Sequence, residues 1–268
     1  MMRKKIVALL LVFVLLMTIA SCGGATGKLK SVQSTGKIVV YTDPNFPPFE
    51  FIGANQTPVG VDMEIARAIA GELGVSLEIQ EADFDSITTA IKGGRGDIAV
   101  SGFTITEERK QSVDFSRPYI NSVQYLILME SDGTISTMES LAGLNIGVAK
   151  GYSGQFWIED EMDEGGALYG TGVSVMEYNN AMDATLDLRA GRINAVVMDE
   201  YVAKSIVSAG TGLKTIPLQY EDGELAAEEY GVLVAKGNDD LLRIINSVLD
   251  KLIADGKIAE WVVSFSEQ

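Results

Sequence analysis

Histidine is absent from the 268-residue sequence, and cysteine occurs once, as Cys22. The lack of histidine excludes catalysis by a Ser-His or Cys-His pair and a zinc site that uses imidazole. Basic residues are also scarce: 21 lysines and arginines stand against 37 acidic residues, which leaves a net charge of −16. Binding to nucleic acid or to anionic lipid depends on basic side chains. The composition therefore argues against both of these partners.

Long apolar runs are absent after residue 22, so nothing later in the chain is predicted to cross a membrane. Residues 1–22 have the three parts of a secretory leader: a basic start, a 12-residue apolar segment at 6–17, and small residues before Cys22. This end resembles a bacterial lipobox, which predicts lipidation of Cys22. An ordinary signal peptide and an uncleaved anchor are the alternatives. Residues 23–36 are rich in Gly, Ser, Thr and Lys and predict a flexible tether.

Strand patterns and helix patterns alternate from residue 37 onward. Strands are predicted over 37–41, 75–80, 97–100, 124–129, 144–149, 173–177, 193–198 and 229–235. Helices are predicted over 61–73, 86–92, 107–112, 154–161, 181–190, 200–209 and 239–255. The order strand, helix, strand implies parallel pairing through right-handed crossovers, and it starts again after residue 124. We therefore predict an α/β fold with two lobes.

Local signals set the ends of several elements. Asp62, Asp85 and Thr106 are the predicted N-caps of the helices that follow them. Three prolines within residues 42–49 predict a loop without regular structure. This loop begins with Asp43 at the carboxyl end of the first strand, which is where ligands bind in open α/β sheets.

Residues 101–119 combine the features of an anion pocket. Gly102 permits a tight turn and leaves its N–H open to a ligand, Thr104 offers a hydroxyl, and Thr106 can cap a short helix. Arg109 lies in the first turn of that helix, where the helix dipole disfavours a cation. Its planar guanidinium can hold a carboxylate through two parallel hydrogen bonds. A solvated Glu-Glu-Arg-Lys turn is the alternative, and these residues alone do not decide between the two.

The same segment carries a known signature. Gly102-Phe-Thr-Ile-Thr-Glu-Glu-Arg-Lys110, followed by Val113-Asp-Phe-Ser116 and Pro118-Tyr119, resembles that of the bacterial extracellular solute-binding proteins of family 3. These proteins deliver polar amino acids to ABC importers. The resemblance implies a periplasmic-binding-protein-like type II fold, in which two βα lobes are joined by a double-crossover hinge. Lobe 1 is then 37–120 plus 230–268, and lobe 2 is 121–229.

The resemblance also implies the ligand-binding residues. A group led by Arg109 holds the carboxylate of a free L-amino acid, and Ser153 contributes to it from lobe 2. Asp199 holds the ammonium group; its alternative role is the N-cap of the helix over 200–209. Two aromatic rings sandwich the substrate, and Asp43 reads the end of its side chain. The full predicted set is Asp43, Phe46, Phe84, Ser101, Gly102, Thr104, Arg109, Ser153 and Asp199.

Two departures from the family affect the choice of substrate. Ala149 stands where a glutamine or lysine is frequent, and Met198 stands where some members have histidine. Both departures remove polar contacts, so the substrates of other members do not carry over directly. Asp43 favours a polar or cationic substrate side chain.

The expected protein is an extracytoplasmic, lipid-anchored monomer that passes an L-amino acid to the transmembrane subunits of an ABC permease. We expect no nucleic-acid partner, no metal and no cofactor. The loop Lys150–Gly154 does not predict a nucleotide site, because it lacks the ending of a phosphate loop. A dehydratase-like enzyme on the same fold is one alternative, although no second catalytic group accompanies the predicted carboxylates. The ligand-binding part of a sensor is another, disfavoured because the sequence ends at Gln268.

Overall fold

The computed structural model describes residues 27–267, in which strands and helices alternate. The strands are β1 (Lys37–Thr42), β2 (Asn45–Phe46), β3 (Glu50–Ile52), β4 (Pro58–Val59), β5 (Ser76–Glu81), β6 (Ile98–Ala99), β7 (Val113–Phe115), β8 (Ile120–Met129), β9 (Asn145–Ala149), β10 (Ser174–Tyr178), β11 (Ala195–Asp199), β12 (Leu213–Pro217), β13 (Ala227–Tyr230) and β14 (Leu233–Ala235). The helices are α1 (Lys28–Thr35), α2 (Val61–Leu73), α3 (Phe84–Lys92), α4 (Glu107–Ser112), α5 (Ser153–Met162), α6 (Ala181–Arg189), α7 (Glu200–Ser208), α8 (Asp239–Ala254) and α9 (Lys257–Ser266), with a 3-10 turn at Glu139–Leu141. The predicted leader and lipobox, with Cys22, lie outside the described residues.

The first sheet has the strand order β5-β1-β6-β14-β7. Strand β1 pairs in parallel with β5 and β6, as the predicted crossovers require, whereas β14 pairs antiparallel with β6 and β7. Helix α2 buries Ile65 and Ile69 completely against this sheet and its neighbouring helices. Full burial of one such side chain contributes about 1.5–3 kcal/mol. The apolar residues that occur at helical spacing in the sequence therefore form part of the first core.

The second sheet has the order β10-β9-β11-β8-β12, with β13 also paired to β8. Strand β9 pairs in parallel with β10 and β11, and β8 runs antiparallel to β11. A separate core lies on one face of this sheet and includes Leu126, Ile146, Val148 and Val197, all buried. The predicted architecture of two βα lobes is confirmed.

The chain passes between the two sheets twice, at places that lie side by side. Strand β13 pairs antiparallel with the first residues of β8, with Ile120 opposite Tyr230 and Val123 opposite Ala227. The prediction of one continuous strand over 229–235 is therefore wrong. Tyr230 ends β13 in the second sheet and Leu233 begins β14 in the first, so the residues between them carry the chain from one sheet to the other.

The predicted tether over 23–36 is wrong for residues 28–35, which form helix α1. Leu29 and Val32 lie one helical turn apart and are both buried, which gives the helix an apolar face to pack with. Lys28 Nζ also lies 3.1 Å from Asp97 Oδ1. The prolines between 42 and 49 do not prevent pairing either, since Asn45 and Phe46 form β2 against β3.

Two of the three predicted N-caps are wrong. Helix α2 has Gly60 as its N-cap, and Asp62 is instead a buried first-turn residue. Residue 60 must be glycine, because a Cβ there would lie 2.2 Å from the Phe49 carbonyl oxygen. Helix α3 begins at Phe84 with Asp83 at its N-cap, so Asp85 lies in the first turn. Thr106 is confirmed, since its hydroxyl accepts a hydrogen bond from the Arg109 backbone N–H at 3.1 Å.

Candidate functional site

The predicted site residues come together where the carboxyl ends of the parallel strands of both sheets face each other. Asp43 follows β1 and Ser101 follows β6 on one side; Ser153 follows β9 and Asp199 ends β11 on the other. All four side chains are buried. Because ligands of open α/β sheets bind at such ends, the cleft between the two sheets is the candidate site.

Arg109 joins the two sides of this cleft. Its Nη1 donates to the Thr104 carbonyl oxygen at 2.8 Å, and its Nη2 donates to the Gly151 carbonyl oxygen at 2.9 Å. The guanidinium carbon lies 5.5 Å from the ring centres of Phe84 and Phe103. Burial lowers the pKa of Arg109, and the nearby carboxylates of the cleft act in the opposite direction. A guanidinium has five N–H donors, so donors remain for a carboxylate ligand.

Thr104 and Ser153 meet across the cleft around an unpredicted acid, Glu228. Glu228 Oε2 lies 2.9 Å from Thr104 Oγ1 and 2.7 Å from Ser153 Oγ. Its Oε1 accepts from Gln124 Nε2 at 2.8 Å. Burial, followed by the charge of Asp199, raises the pKa of Glu228 well above its usual range. Two hydroxyls and an amide thus hold one carboxyl group at the centre of the cleft.

A second unpredicted residue, Tyr152, lies between the two rings expected to sandwich the substrate. Its ring centre is 4.2 Å from that of Phe84 and 5.7 Å from that of Phe46. Its hydroxyl donates to Asp43 Oδ2 at 3.3 Å, and Asn45 Nδ2 donates to Asp43 Oδ1 at 2.6 Å. Burial raises the pKa of Asp43, which these hydrogen bonds partly offset. A ring with a polar end therefore fits between Phe46 and Phe84.

Asp199 occupies the N-cap position of helix α7 but makes no capping hydrogen bond with its side chain. The alternative in which its carboxylate caps the helix is therefore wrong. Asp199 Oδ1 instead accepts from the Tyr230 hydroxyl at 2.7 Å, and Tyr230 is fully buried. The Asp199 carboxylate also shares a side-chain hydrogen bond with the buried carboxyl group of Glu228.

Two predicted residues, Ser101 and Gly102, use their donors inside the protein. The Gly102 N–H, predicted to be open to a ligand, donates to Asp62 Oδ2 at 2.7 Å, and Ser101 Oγ donates to Glu50 Oε1 at 2.8 Å. Gly102 has φ +52°, and a Cβ there would lie 2.4 Å from the Phe46 ring. Only glycine fits this turn without strain. Their part in the site is to shape the loop below Phe46.

The carboxyl groups of Glu50 and Asp62 support that loop from beneath. Both side chains are completely buried, and Asp62 also accepts from the Tyr119 hydroxyl at 2.8 Å. Burial raises the pKa of Asp62 to about 6, and burial with the neighbouring Asp62 charge raises the pKa of Glu50 well above its usual range. A side-chain hydrogen bond links the two carboxyl groups, and such a bond requires a proton on one of them.

This pair makes stability depend on pH. Both folded-state pKa values lie above the unfolded ones, so the folded protein binds more protons and the free energy of unfolding falls as pH rises from about 4 through about 6 and beyond. We expect Glu50→Gln, which keeps an acceptor for Ser101 and a donor for Asp62, to flatten this fall by up to about 1.4 kcal/mol per pH unit. Urea unfolding between pH 5 and 8 measures it. Glu81→Gln, at an exposed position of strand β5, is the control, and curves for Glu50→Gln that run parallel to wild type would contradict the shared proton.

Two cavities border the candidate site. One of about 350 Å³ is lined by Thr104, Ser153 and Glu228 together with Phe156 and Trp157. The other, of about 240 Å³, is lined by Phe84 and Arg109 among others. Within residues 27–267, no group of acidic or other ligating side chains could hold a metal ion.

The sequence held one signal for the missed residues: Glu228 stands two residues before Tyr230, so the two share one face of any strand. In strand β13, Glu228 and Tyr230 are buried whereas Ala227 and Glu229 are exposed. A strand with this alternation points every second residue inward, so a glutamate among inward positions indicates a polar cluster. No comparable signal marked Tyr152, because its position depends on how the two sheets face each other.

Comparison with known proteins agrees with this geometry. The family model of the bacterial extracellular solute-binding proteins, family 3, matches residues 38–267. The chain belongs to this family. The L-cystine-binding protein TcyJ of Escherichia coli is 31% identical to this family 3 chain over 234 residues, which cover 87% of this chain and 83% of TcyJ. The L-arginine-binding protein of Pseudomonas aeruginosa is 31% identical over 215 residues, which cover 79% of this chain and 81% of that protein.

Solved structures show the same fold. The amino acid ABC transporter substrate-binding protein AbpA of Streptococcus pneumoniae, bound to L-arginine, superposes with a TM-score of 0.81 at 30% identity, covering 89% of this chain and 98% of AbpA. The family 3 assignment confirms the predicted type II periplasmic-binding fold and a solute-binding, non-enzymatic role in amino-acid ABC transport. It also confirms the extracytoplasmic location.

Among residues 27–267, no helix of this family 3 protein is both long and apolar enough to cross a membrane.

Proposed function

We propose that the chain captures a free L-amino acid between its two lobes and delivers it to the permease of an ABC importer. The observation that carries this is that one cleft contains both a guanidinium with further donors, on Arg109, and a buried carboxylate, on Asp199. A free amino acid has a carboxylate and an ammonium group, and a buried site must pair both. The lobe boundaries stay as predicted, 37–120 plus 230–268 and 121–229, with paired strands β8 and β13 as the hinge.

Each half of the site then has a defined task. Arg109, with the hydroxyls of Thr104 and Ser153, holds the substrate carboxylate, and Asp199 holds the ammonium. Phe46 and Phe84 receive the side chain, and Asp43 reads its end. Ser101 and Gly102 shape the loop that leads to Thr104 and Arg109.

The substrate is proposed to have a polar or cationic side chain. Asp43 is buried and accepts hydrogen bonds from two neutral donors, Tyr152 and Asn45, and a buried carboxylate of this kind favours a cation or a further hydrogen-bond donor. The names of the relatives support this choice, since they bind L-cystine and L-arginine. Arginine, lysine, glutamine or cystine should bind more tightly than leucine or glutamate.

Thermal-shift screening of the leaderless protein against the twenty L-amino acids and L-cystine tests this function. A ligand at about 100 times its dissociation constant adds roughly 2.7 kcal/mol to the free energy of unfolding. Stabilisation by none of them would contradict the function. A clear preference for glutamate or aspartate would contradict the role of Asp43 alone.

We further propose that the protein is a monomer held to the membrane by a lipid on Cys22. The lone cysteine in its small-residue setting supports the anchor. Fractionation of a Cys22→Ser variant tests it: the variant should leave the membrane fraction or accumulate as a precursor. A variant that fractionates and migrates like wild type would count against the lipobox.

A further inference from the structure

Two side chains of the protein, Glu228 and Tyr152, hold the groups that the proposed function assigns to the substrate. Glu228 presents a carboxyl group to the hydroxyls of Thr104 and Ser153. Tyr152 presents a polar-ended ring to Asp43. Together these two side chains offer the chemistry of an amino-acid carboxylate and of a substrate side chain.

The contacts of Glu228 leave no room for a second carboxylate at the same hydroxyls. Its Oε2 lies within 2.9 Å of Thr104 Oγ1 and 2.7 Å of Ser153 Oγ, and these hydroxyls belong to opposite sides of the cleft. Each hydroxyl has a single proton to donate. A substrate carboxylate that uses Thr104 and Ser153 must therefore take their donors from Glu228.

The contacts of Tyr152 exclude a substrate side chain in the same way. A separation of 4.2 Å between its ring and that of Phe84 is direct van der Waals contact, and its ring is 5.7 Å from Phe46 on the other side. The ring is almost completely buried. A side chain that reaches Asp43 between Phe46 and Phe84 must therefore displace this ring.

We propose that Glu228 and Tyr152 are intramolecular ligands that the amino acid displaces, and that they thereby set its affinity and selectivity. The inference rests on the proposed function. Glu228 competes with the carboxylate common to all amino acids and lowers affinity for each of them. Tyr152 competes with the side chain and admits only those that interact with the two rings and Asp43 better than it does.

Both residues have somewhere to go when they are displaced. Glu228 lines the cavity of about 350 Å³, which is large enough to receive its carboxyl group and water. Tyr152 follows Gly151, which has φ +78° in the loop between β9 and α5. Glycine at that position leaves the loop free to change its backbone angles.

The test is calorimetry with L-arginine as the probe, on wild type, Glu228→Ala and Tyr152→Ala. If the intramolecular ligands occupy the cleft in about 90% of the unliganded molecules, removing one of them raises the affinity about tenfold. Glu229→Ala is the matched control, since it removes a neighbouring carboxylate from the exposed side of the same strand. That control should bind within twofold of wild type.

Two milder variants guard against misfolding. Glu228→Gln keeps the volume but weakens acceptance from the hydroxyls, and Tyr152→Phe keeps the ring but loses the bond to Asp43; both should give smaller gains. Weaker or unchanged binding in Glu228→Ala or Tyr152→Ala, when the variant is folded, overturns the role of that residue. If wild type and all variants bind none of the twenty amino acids, the proposed function fails instead.

Discussion

Replacing Arg109 by alanine should weaken amino-acid binding by about 30-fold to several-thousand-fold. The change leaves the substrate carboxylate buried without its guanidinium. Loss of one partner from a desolvated charge pair costs about 2–5 kcal/mol, which corresponds to that range of affinity. Calorimetry with the amino acid that gives the largest thermal shift measures it.

Arg109→Lys separates charge from geometry. Lysine keeps the positive charge but cannot make two parallel hydrogen bonds, so it should restore binding only in part. Lys110→Ala is the control, because Lys110 is exposed and pairs with Glu107 on the same helix. Binding within threefold of wild type in Arg109→Ala would mean that the substrate carboxylate is held elsewhere.

Replacing Asp199 by asparagine should cause a loss of the same order. Asparagine keeps the shape and an acceptor for the Tyr230 hydroxyl, so the change removes the charge with little change in packing. The substrate ammonium is then desolvated without a counter-ion, which costs about 2–5 kcal/mol. Calorimetry with the same amino acid gives the size of the loss.

Two further variants show whether the Asp199 charge itself is responsible. Tyr230→Phe removes the hydroxyl that hydrogen-bonds Asp199 and Ser122 but keeps the Asp199 charge, so it should lose much less affinity. Glu200→Gln, the next residue along the chain, removes a carboxylate that pairs with Lys204 and should bind like wild type. Equal losses in Asp199→Asn and Glu200→Gln would indicate a general field effect rather than a contact with the ammonium.

Periodicity was sufficient to predict most of the fold. Helix α2 and strands β1 and β9 lie within one or two residues of their predicted bounds, since each has a clear apolar face or run. Helix α1 was missed because two apolar residues among polar neighbours look like a tether until another surface covers them. The division of 229–235 into two strands was missed because it depends on which sheet each half joins.

The candidate site was predictable in its location and less so in its hydrogen bonds. Buried strands that end in polar residues placed Asp43 and Ser101 at the edge of the first sheet and Asp199 at the edge of the second. The partner of the Gly102 N–H is Asp62, 40 residues earlier in the chain, and no local pattern links the two. Contacts of this kind follow from tertiary packing, so sequence reasoning about one segment cannot supply them.

The position of β14 between β6 and β7 has a consequence for the order in which the chain can fold. Every strand of the second sheet is encoded between residues 120 and 230, so that sheet can be completed first. The first sheet begins earlier in the sequence, yet β6 and β7 have no common partner until residues 233–235 have been synthesised. The earliest part of the protein to be made is thus the last to close its sheet. Truncation of the chain before residue 233 would remove β14 and open the first sheet, and it would leave every strand of the second sheet in place.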